Sequence, residues 1–300
     1  MGGGGGGRPA GMGALPGGLG ALPGAFPGAA AERAAEISGP VAAAVPGDAV
    51  RGTLAAAAAF SLGNVVFSAA LRRLPGLGLS QGLLPIQGSS RLVAMVHAVL
   101  TVLLSAGVVA HLSPQEVHDR VPLPLSETER RMLYLTCGYF LQDTAVLVLF
   151  ERDAMFFVHH VSGLAIFATL LRYDCAGVAA CIALFWGEMT NPLLSLWWLA
   201  RKAKNEALSD VVSPIFTVVF PVIRLIVIPV YIFALIWGFL VTGEVRMPFA
   251  GRTLVSALMA LVTFGGFVWA RSTFLGYFKH RKKRRAKLLA AQAQAKTKTG

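Results

Sequence analysis

Residues 154–171 read AMFFVHHVSGLAIFATLL. At about 1.5 Å of rise per helical residue this uncharged run crosses most of a hydrocarbon core about 30 Å thick, which makes it a membrane helix. Two adjacent histidines, His159 and His160, nevertheless sit about a turn and a half inside it. Ionisable groups at that depth cost several kcal/mol unless they face a bundle interior, a wet cavity or a partner, so the pair marks a functional site by default.

The rest of the chain belongs to the same class. Of 300 residues, 55% are hydrophobic and 14% charged, with a mean hydropathy of +0.63, too apolar for a soluble domain. The formal charge of +12 would suit a nucleic-acid binder, but much of it lies in one tail, Lys279 to Lys298, directly after the last apolar segment. A basic segment placed there reads as a cytosolic flank near anionic lipid, and no nucleic-acid partner is expected. The three cysteines, Cys137, Cys175 and Cys181, lie in or beside apolar runs and suggest neither a disulfide framework nor a thiolate metal site.

Residues 1–49 are rich in Gly, Ala and Pro and are expected to be disordered, because they cannot bury enough apolar surface to offset their ordering entropy. They make a poor signal or transit peptide, and Gly6 stands where a myristoylation motif wants Ser or Thr. Seven apolar segments follow: Val50–Leu71, Ser90–Leu112, Met132–Phe150, Ala154–Leu171, Ala176–Leu199, Val212–Val241 and Arg252–Ala270. The expected architecture is therefore all-α, a polytopic membrane helix bundle of about seven transmembrane helices around an internal polar or lipid cavity. Six spans remain if the alanine-rich first segment stays outside the bilayer. Pro214, Pro221 and Pro229 predict that the long sixth segment is kinked or tilted. The spanning domain covers 50–275, and 276–300 is a basic tail.

With the tail in the cytosol, the loops on that side carry Arg72 and Arg73, Glu151 to Asp153, Arg201 to Lys204 and the Lys279–Arg285 cluster. This set holds more uncompensated positive charge than the opposite one, as the positive-inside rule asks. Lys296 and Lys298, fifth and third from the end, resemble the dilysine retrieval signal of endoplasmic-reticulum membrane proteins. The expected location is that membrane, multi-pass, with the C-terminus cytosolic.

Counting residues inward from this side places His97, Asp143, the histidine pair, Glu188, Asn191 and Arg224 in one slab between the bilayer centre and the cytosolic interface. Helical spacing gathers them onto faces: His97, Thr101 and Ser105; Tyr139 and Asp143; Glu188, Asn191 and Ser195; Thr217, Arg224 and Tyr231. Pro192 should free a backbone carbonyl near Glu188 and loosen the fifth span there. The bland alternatives are interhelical ion pairs of Glu188 or Asp143 with Arg224, and helix packing by small and hydroxyl residues. Arg91, at the mouth of the second span, is expected to snorkel to lipid phosphate. The histidines lack the HxxxH and HxxHH spacings of membrane metal enzymes, so no metal site is expected.

The succession of Arg91 and His97, Gly138-Tyr139 with Asp143, Asp153 before His159-His160, Glu188 to Pro192, and Arg224 resembles the TLC domain of ceramide synthases and several smaller membrane proteins, over roughly Val50 to Leu275. The resemblance implies six or seven helices around a long internal cavity and a role in lipid synthesis, sensing or transport. After the histidine pair, the ceramide-synthase branch has a His-Asp dipeptide, an Asp three residues on and a Glu four beyond. Here Gly187-Glu188, Asn191 and Ser195 stand at those places. The Glu-x-x-x-Pro form of Glu188 to Pro192 looks instead like the smaller TLC-domain proteins.

Two functions suit these residues. In the first, the protein binds or handles lipid and contributes to membrane lipid homeostasis. Its ligand would be an acyl chain or sphingolipid-type molecule, its headgroup residues His97, Tyr139, Asn191 and Arg224, and no cofactor is required. In the second, it is a ceramide-synthase-like acyltransferase that takes acyl-CoA as co-substrate, with His159 or His160 as base or acyl carrier and Glu188 or Asp143 orienting it. A channel or transporter fits less well, since the halves show no internal similarity.

Overall fold

The computed structural model describes residues 47–299, apart from positions 75, 77 and 244. The Gly/Pro/Ala-rich segment expected at 1–49 lies outside the described residues up to position 46. Among the described residues, seven helices are long and apolar enough to cross a membrane: Gly47–Arg72, Leu84–Val109, Glu127–Glu151, Ala154–Tyr173, Gly177–Lys202, Glu206–Thr242 and Phe249–Ala286. Among the described residues there is no strand, as the bilayer demands of a chain that cannot close a barrel. The chain is an integral, multi-pass helical membrane protein.

In chain order the helices are α1 (Gly47–Arg72), α2 (Leu84–Val109), the short α3 (Pro114–Arg120), α4 (Glu127–Val146), α5 (Ala154–Tyr173), α6 (Gly177–Glu188), α7 (Asn191–Lys202), α8 (Glu206–Val222), α9 (Ile228–Trp237) and α10 (Phe249–Thr299). Their starts follow from local chemistry. Ser113 with Glu116 and Ser126 with Glu129 form capping boxes at α3 and α4. Asp153 accepts from the backbone N–H groups of Met155 and Phe156 at α5, and Asn205 accepts from that of Leu208 at α8.

Two spans are broken where proline predicts it. The fifth divides into α6 and α7 across Met189 and Thr190, because Pro192 has no N–H to give and its ring crowds the carbonyl of Glu188. The sixth changes to a π turn at Ile223–Val227, just after Pro221, and again at Gly238–Thr242. A third π turn, Leu147–Glu151, ends the α4 span.

Six spans form a ring. Going round it, α2 packs on α4, α4 on α5, α5 on α10, α10 on α8 and α9, α8 on α7 and α9 on α6, and α6 and α7 return to α2. The α1 helix lies outside, against α2 and α4. Its contact with α4 is backbone-close: a Cβ on Gly138 would stand 2.5 Å from that of Ala56 and 2.7 Å from the Thr53 carbonyl oxygen. The outward faces are apolar, with Val65, Leu103, Val218, Val230, Phe233 and Phe264 all exposed, as lipid requires. At the end away from the tail, Arg120 pairs with Glu129 and Arg130 with Asp174 at 2.7 and 2.8 Å. At the tail end, Arg284 of α10 pairs with Glu206 and Asp210 of α8.

Candidate functional site

Every span of the ring sends a polar or aromatic side chain to a chamber of about 250 Å³ on the tail side of its centre. The α4 helix supplies the first wall. Tyr139 and Phe140 are adjacent, and each stacks on an imidazole: Tyr139 on His97, with centroids 4.0 Å apart and planes 12° apart, and Phe140 on His160, at 4.9 Å and 14°. Phe140 reaches its place because Gly163 leaves no Cβ in its way.

Two histidine–carboxylate pairs lie behind those rings. His160 Nδ1 is 3.4 Å from Asp143 Oδ2, whose other oxygen accepts a hydrogen bond of 2.7 Å from the Ser90 hydroxyl. His97 Nδ1 is 3.6 Å from Glu188 Oε2, which also accepts from the Asn191 amide at 2.7 Å. Both imidazole distances are loose for hydrogen bonds and sit in the range of ion pairs. A carboxylate facing Nδ1 favours the proton there and leaves Nε2 as the acceptor. In His97 that acceptor is taken by the Thr101 hydroxyl at 3.1 Å.

Arg224, carried by the π turn, is 8% exposed and donates from Nη2 to the Gly187 carbonyl at 2.7 Å. That oxygen is among those the break at Pro192 frees from the helical ladder, so a cation from the sixth span satisfies what the fifth gives up. The guanidinium lies over the Phe220 ring at 5.5 Å, and its Nε, though buried, has no partner. His159 Nδ1 is likewise buried and unpartnered, and its ring lies 5.1 Å from that of Trp269.

A second cavity, of about 120 Å³, opens on the other side of these residues. Phe140, His159, Glu188 and Arg224 line both. From that shared wall the cavity runs away from the tail, along α5 to Leu170, along α6 to Ala176 and along α9 to Phe239. At the helical rise this is about 17 Å on α5 and α6, close to the thickness of one hydrocarbon leaflet, about half of 30 Å. Beyond the shared wall its lining is apolar apart from Thr263. On this side the wall is Ala176, just before α6, with Ala179, Ala180, Ala183 and Gly187 along one face of the helix, and together they leave space where larger side chains would fill it.

The residues singled out in the sequence therefore converge. Tyr139, Asp143, His160 and Asn191 line the polar chamber, and His159, Glu188 and Arg224 line both cavities. His97 is different: it is wholly buried, lines neither cavity, and reaches them through Glu188 and Tyr139. Arg91 corrects an expectation. Instead of extending to lipid phosphate it lines the chamber, pairs with Glu151 at 2.8 Å and lies over the rings of Phe156 and Trp198. Glu151 comes from the π turn ending the third span, a partner that no spacing along one helix could reveal.

The chamber residues Phe156, Asp153, Ser195, Trp269 and Thr273 complete the wall. Of these, Ser195 stood on a polar stripe in the sequence. Trp269 carried only the signal of a tryptophan near a membrane interface. Among the described residues, no group of three His, Cys, Asp or Glu side chains is placed to hold a metal ion.

Residues 87–280, more than half of the chain and nearly all of the six-span ring, match the TLC domain. The chain belongs to the TLC-domain family, membrane proteins linked to lipid metabolism.

Proposed function

We propose that the protein binds a membrane lipid, with an acyl chain in the apolar slot and the headgroup in the polar chamber, and through this contributes to membrane lipid homeostasis. The observation that carries this reading is the common wall: Phe140, His159, Glu188 and Arg224 border an apolar cavity of leaflet length on one side and a polar chamber on the other. An amphiphile is the class of ligand that needs both at once. Tyr139, Asn191 and Arg224 contact the headgroup, and His97 acts on it by holding Glu188 in place. The smaller TLC-domain proteins are the nearer relatives in this account, sphingolipid-type ligands are its first candidates, and the endoplasmic reticulum is its membrane, with the tail in the cytosol. The test is native mass spectrometry of the purified full chain beside Ala183→Phe. Wild type should retain lipid and the variant should lose most of it at unchanged fold. Equal retention by both would place the lipid elsewhere.

A second reading is favoured by one further observation. His159 Nδ1 is buried and without a partner where the two cavities meet, and His160 is oriented by Asp143 beside it. That is the arrangement of a base poised over a carbonyl at the head of an acyl chain. In this reading the protein is an acyltransferase with acyl-CoA as co-substrate. Neutral His159 or His160 accepts the proton of an amine or hydroxyl as it attacks the thioester carbonyl. The carbon–sulfur bond then breaks, and the thiolate leaves with that proton. Labelled acyl-CoA with sphingoid bases or lysolipids should give an acylated lipid that His160→Ala abolishes while leaving expression intact. If wild type makes no product from any of these acceptors, the enzyme reading is dropped and the binding reading stands.

A further inference from the structure

A third cavity lies outside the site described above, at the tail end of the bundle, where a groove of about 800 Å³ runs between α7, α8 and α10. Its cations are Arg201 from α7 and Arg281, Lys282, Arg284 and Arg285 from α10. Asp210 is the single carboxylate in its lining, and it is engaged by Arg284, which also takes Glu206. The other four cations have no carboxylate partner among the described residues, and from Arg271 to the C-terminus the chain contains no acid.

The groove is built rather than merely charged. Thr273, Tyr277, Arg281 and Arg284 follow one another at helical spacings of four, four and three, so they share a face of α10. Arg201 is held over the ring of Trp197 at 4.8 Å, and Arg281 over that of Tyr277 at 5.8 Å. The hydroxyls of Ser209 and Ser213 face them from α8.

Depth and charge together name the ligand. Trp197, Tyr277 and exposed Phe278 line the groove, the aromatic types enriched where a helix leaves the bilayer, and the basic cluster follows directly on α10. Four uncompensated cations exceed what the single net negative charge of an ordinary acidic lipid can neutralise. A phosphomonoester adds about −1.5 to −2 and three acceptor oxygens suited to arginine forks. We infer that this groove is a binding site for the phosphomonoester-bearing headgroup of a membrane lipid. It is separate from the chain slot and meets the polar chamber at Thr273, which lines both.

The test uses the purified full chain in phosphatidylcholine nanodiscs, titrated with short-chain phosphatidylinositol monophosphate, short-chain phosphatidylserine and soluble inositol phosphate. It compares the double variant Arg281→Gln/Arg285→Gln with Lys279→Gln/Lys283→Gln, which removes the same charge from the same helix outside the groove. All four side chains are exposed, so neither variant should move the melting temperature. The phosphomonoester lipid should bind about tenfold or more weakly to the first variant and nearly as wild type to the second. Equal losses in both would reduce the groove to diffuse attraction by the tail. Equal binding of phosphatidylserine would remove the phosphomonoester from the account, and equal binding of the soluble inositol phosphate would remove the lipid.

Discussion

The apolar slot and the polar chamber meet at four side chains, yet they are made in opposite ways. The slot exists through what is missing: Ala176, Ala179, Ala180, Ala183 and Gly187 end at or before Cβ, and no polar partner has to be found for any of them. The chamber exists through what is present, and each buried charge in it is held. Asp143 has Ser90 and His160, Glu188 has Asn191 and His97, and Arg91 has Glu151. The lesson is that an apolar cavity is specified cheaply by deletion of volume, whereas a polar one at membrane depth requires a partner for every member. His159 Nδ1 and Arg224 Nε are buried at the border between the two without a hydrogen-bond partner, and so, behind them, are Arg91 Nε and the Nδ1 atoms of His97 and His160, which face carboxylates only at ion-pair distance.

The largest effect should come from the end of the slot farthest from the chamber. Phe239→Ala is expected to cost about 3–5 kcal/mol by the cavity it leaves. Added long-chain lipid should recover part of the lost melting temperature and short-chain lipid should not; no difference between them would mean that the slot does not measure chain length. Next, Glu188→Leu strands the Asn191 amide and His97 Nδ1 together, about 3 kcal/mol, and thermal unfolding in detergent should show it. A smaller change, His160→Gln, keeps a donor toward Asp143 and should cost about 1 kcal/mol. It should alter which headgroups are retained and leave the chain-length profile alone, so a shift in chain length would erase the division drawn between the cavities.

The smallest effect lies outside both. The backbone N–H of Ser113 donates to Glu116 at 2.7 Å and holds its carboxyl below the usual carboxylate range. A depressed value means that the stabilisation is present above that range and is lost as pH falls through the lowered one. Amide exchange in α3 should therefore rise on acidification while the buried chambers stay protected.

Much of this arrangement was legible because the bilayer makes polar residues informative. The seven segments expected from hydropathy correspond one to one with the seven helices, several of which extend further into the interface. Asp143, the histidine pair, Glu188 and Arg224 could be placed at one depth by counting. Counting yields depth and face along one helix, but not which neighbour that face meets. The Arg91–Glu151 pair joins residues sixty positions apart, counted from their numbers. Trp269 faces His159 across two spans. The alanines of α6 read as ordinary close packing, and only their position in the ring turns them into a cavity wall. His97 shows the reverse limit: depth and spacing made it a headgroup contact, while the ring of Tyr139 stands in front of it.

The π turn at Ile223–Val227 fixes the length of the sixth span to the single residue. It contains one more residue than a regular turn would need, and beyond it the Tyr231 hydroxyl donates to the Ala179 carbonyl at 3.0 Å. Deleting Ile226 would let the ladder close as ordinary helix with the downstream residues still on their faces, and would remove the local offset from which Arg224 reaches the Gly187 carbonyl. Loss of one codon there would do more harm than many substitutions, and relatives that keep this ring should resist length variation at this point even where they accept almost any apolar residue.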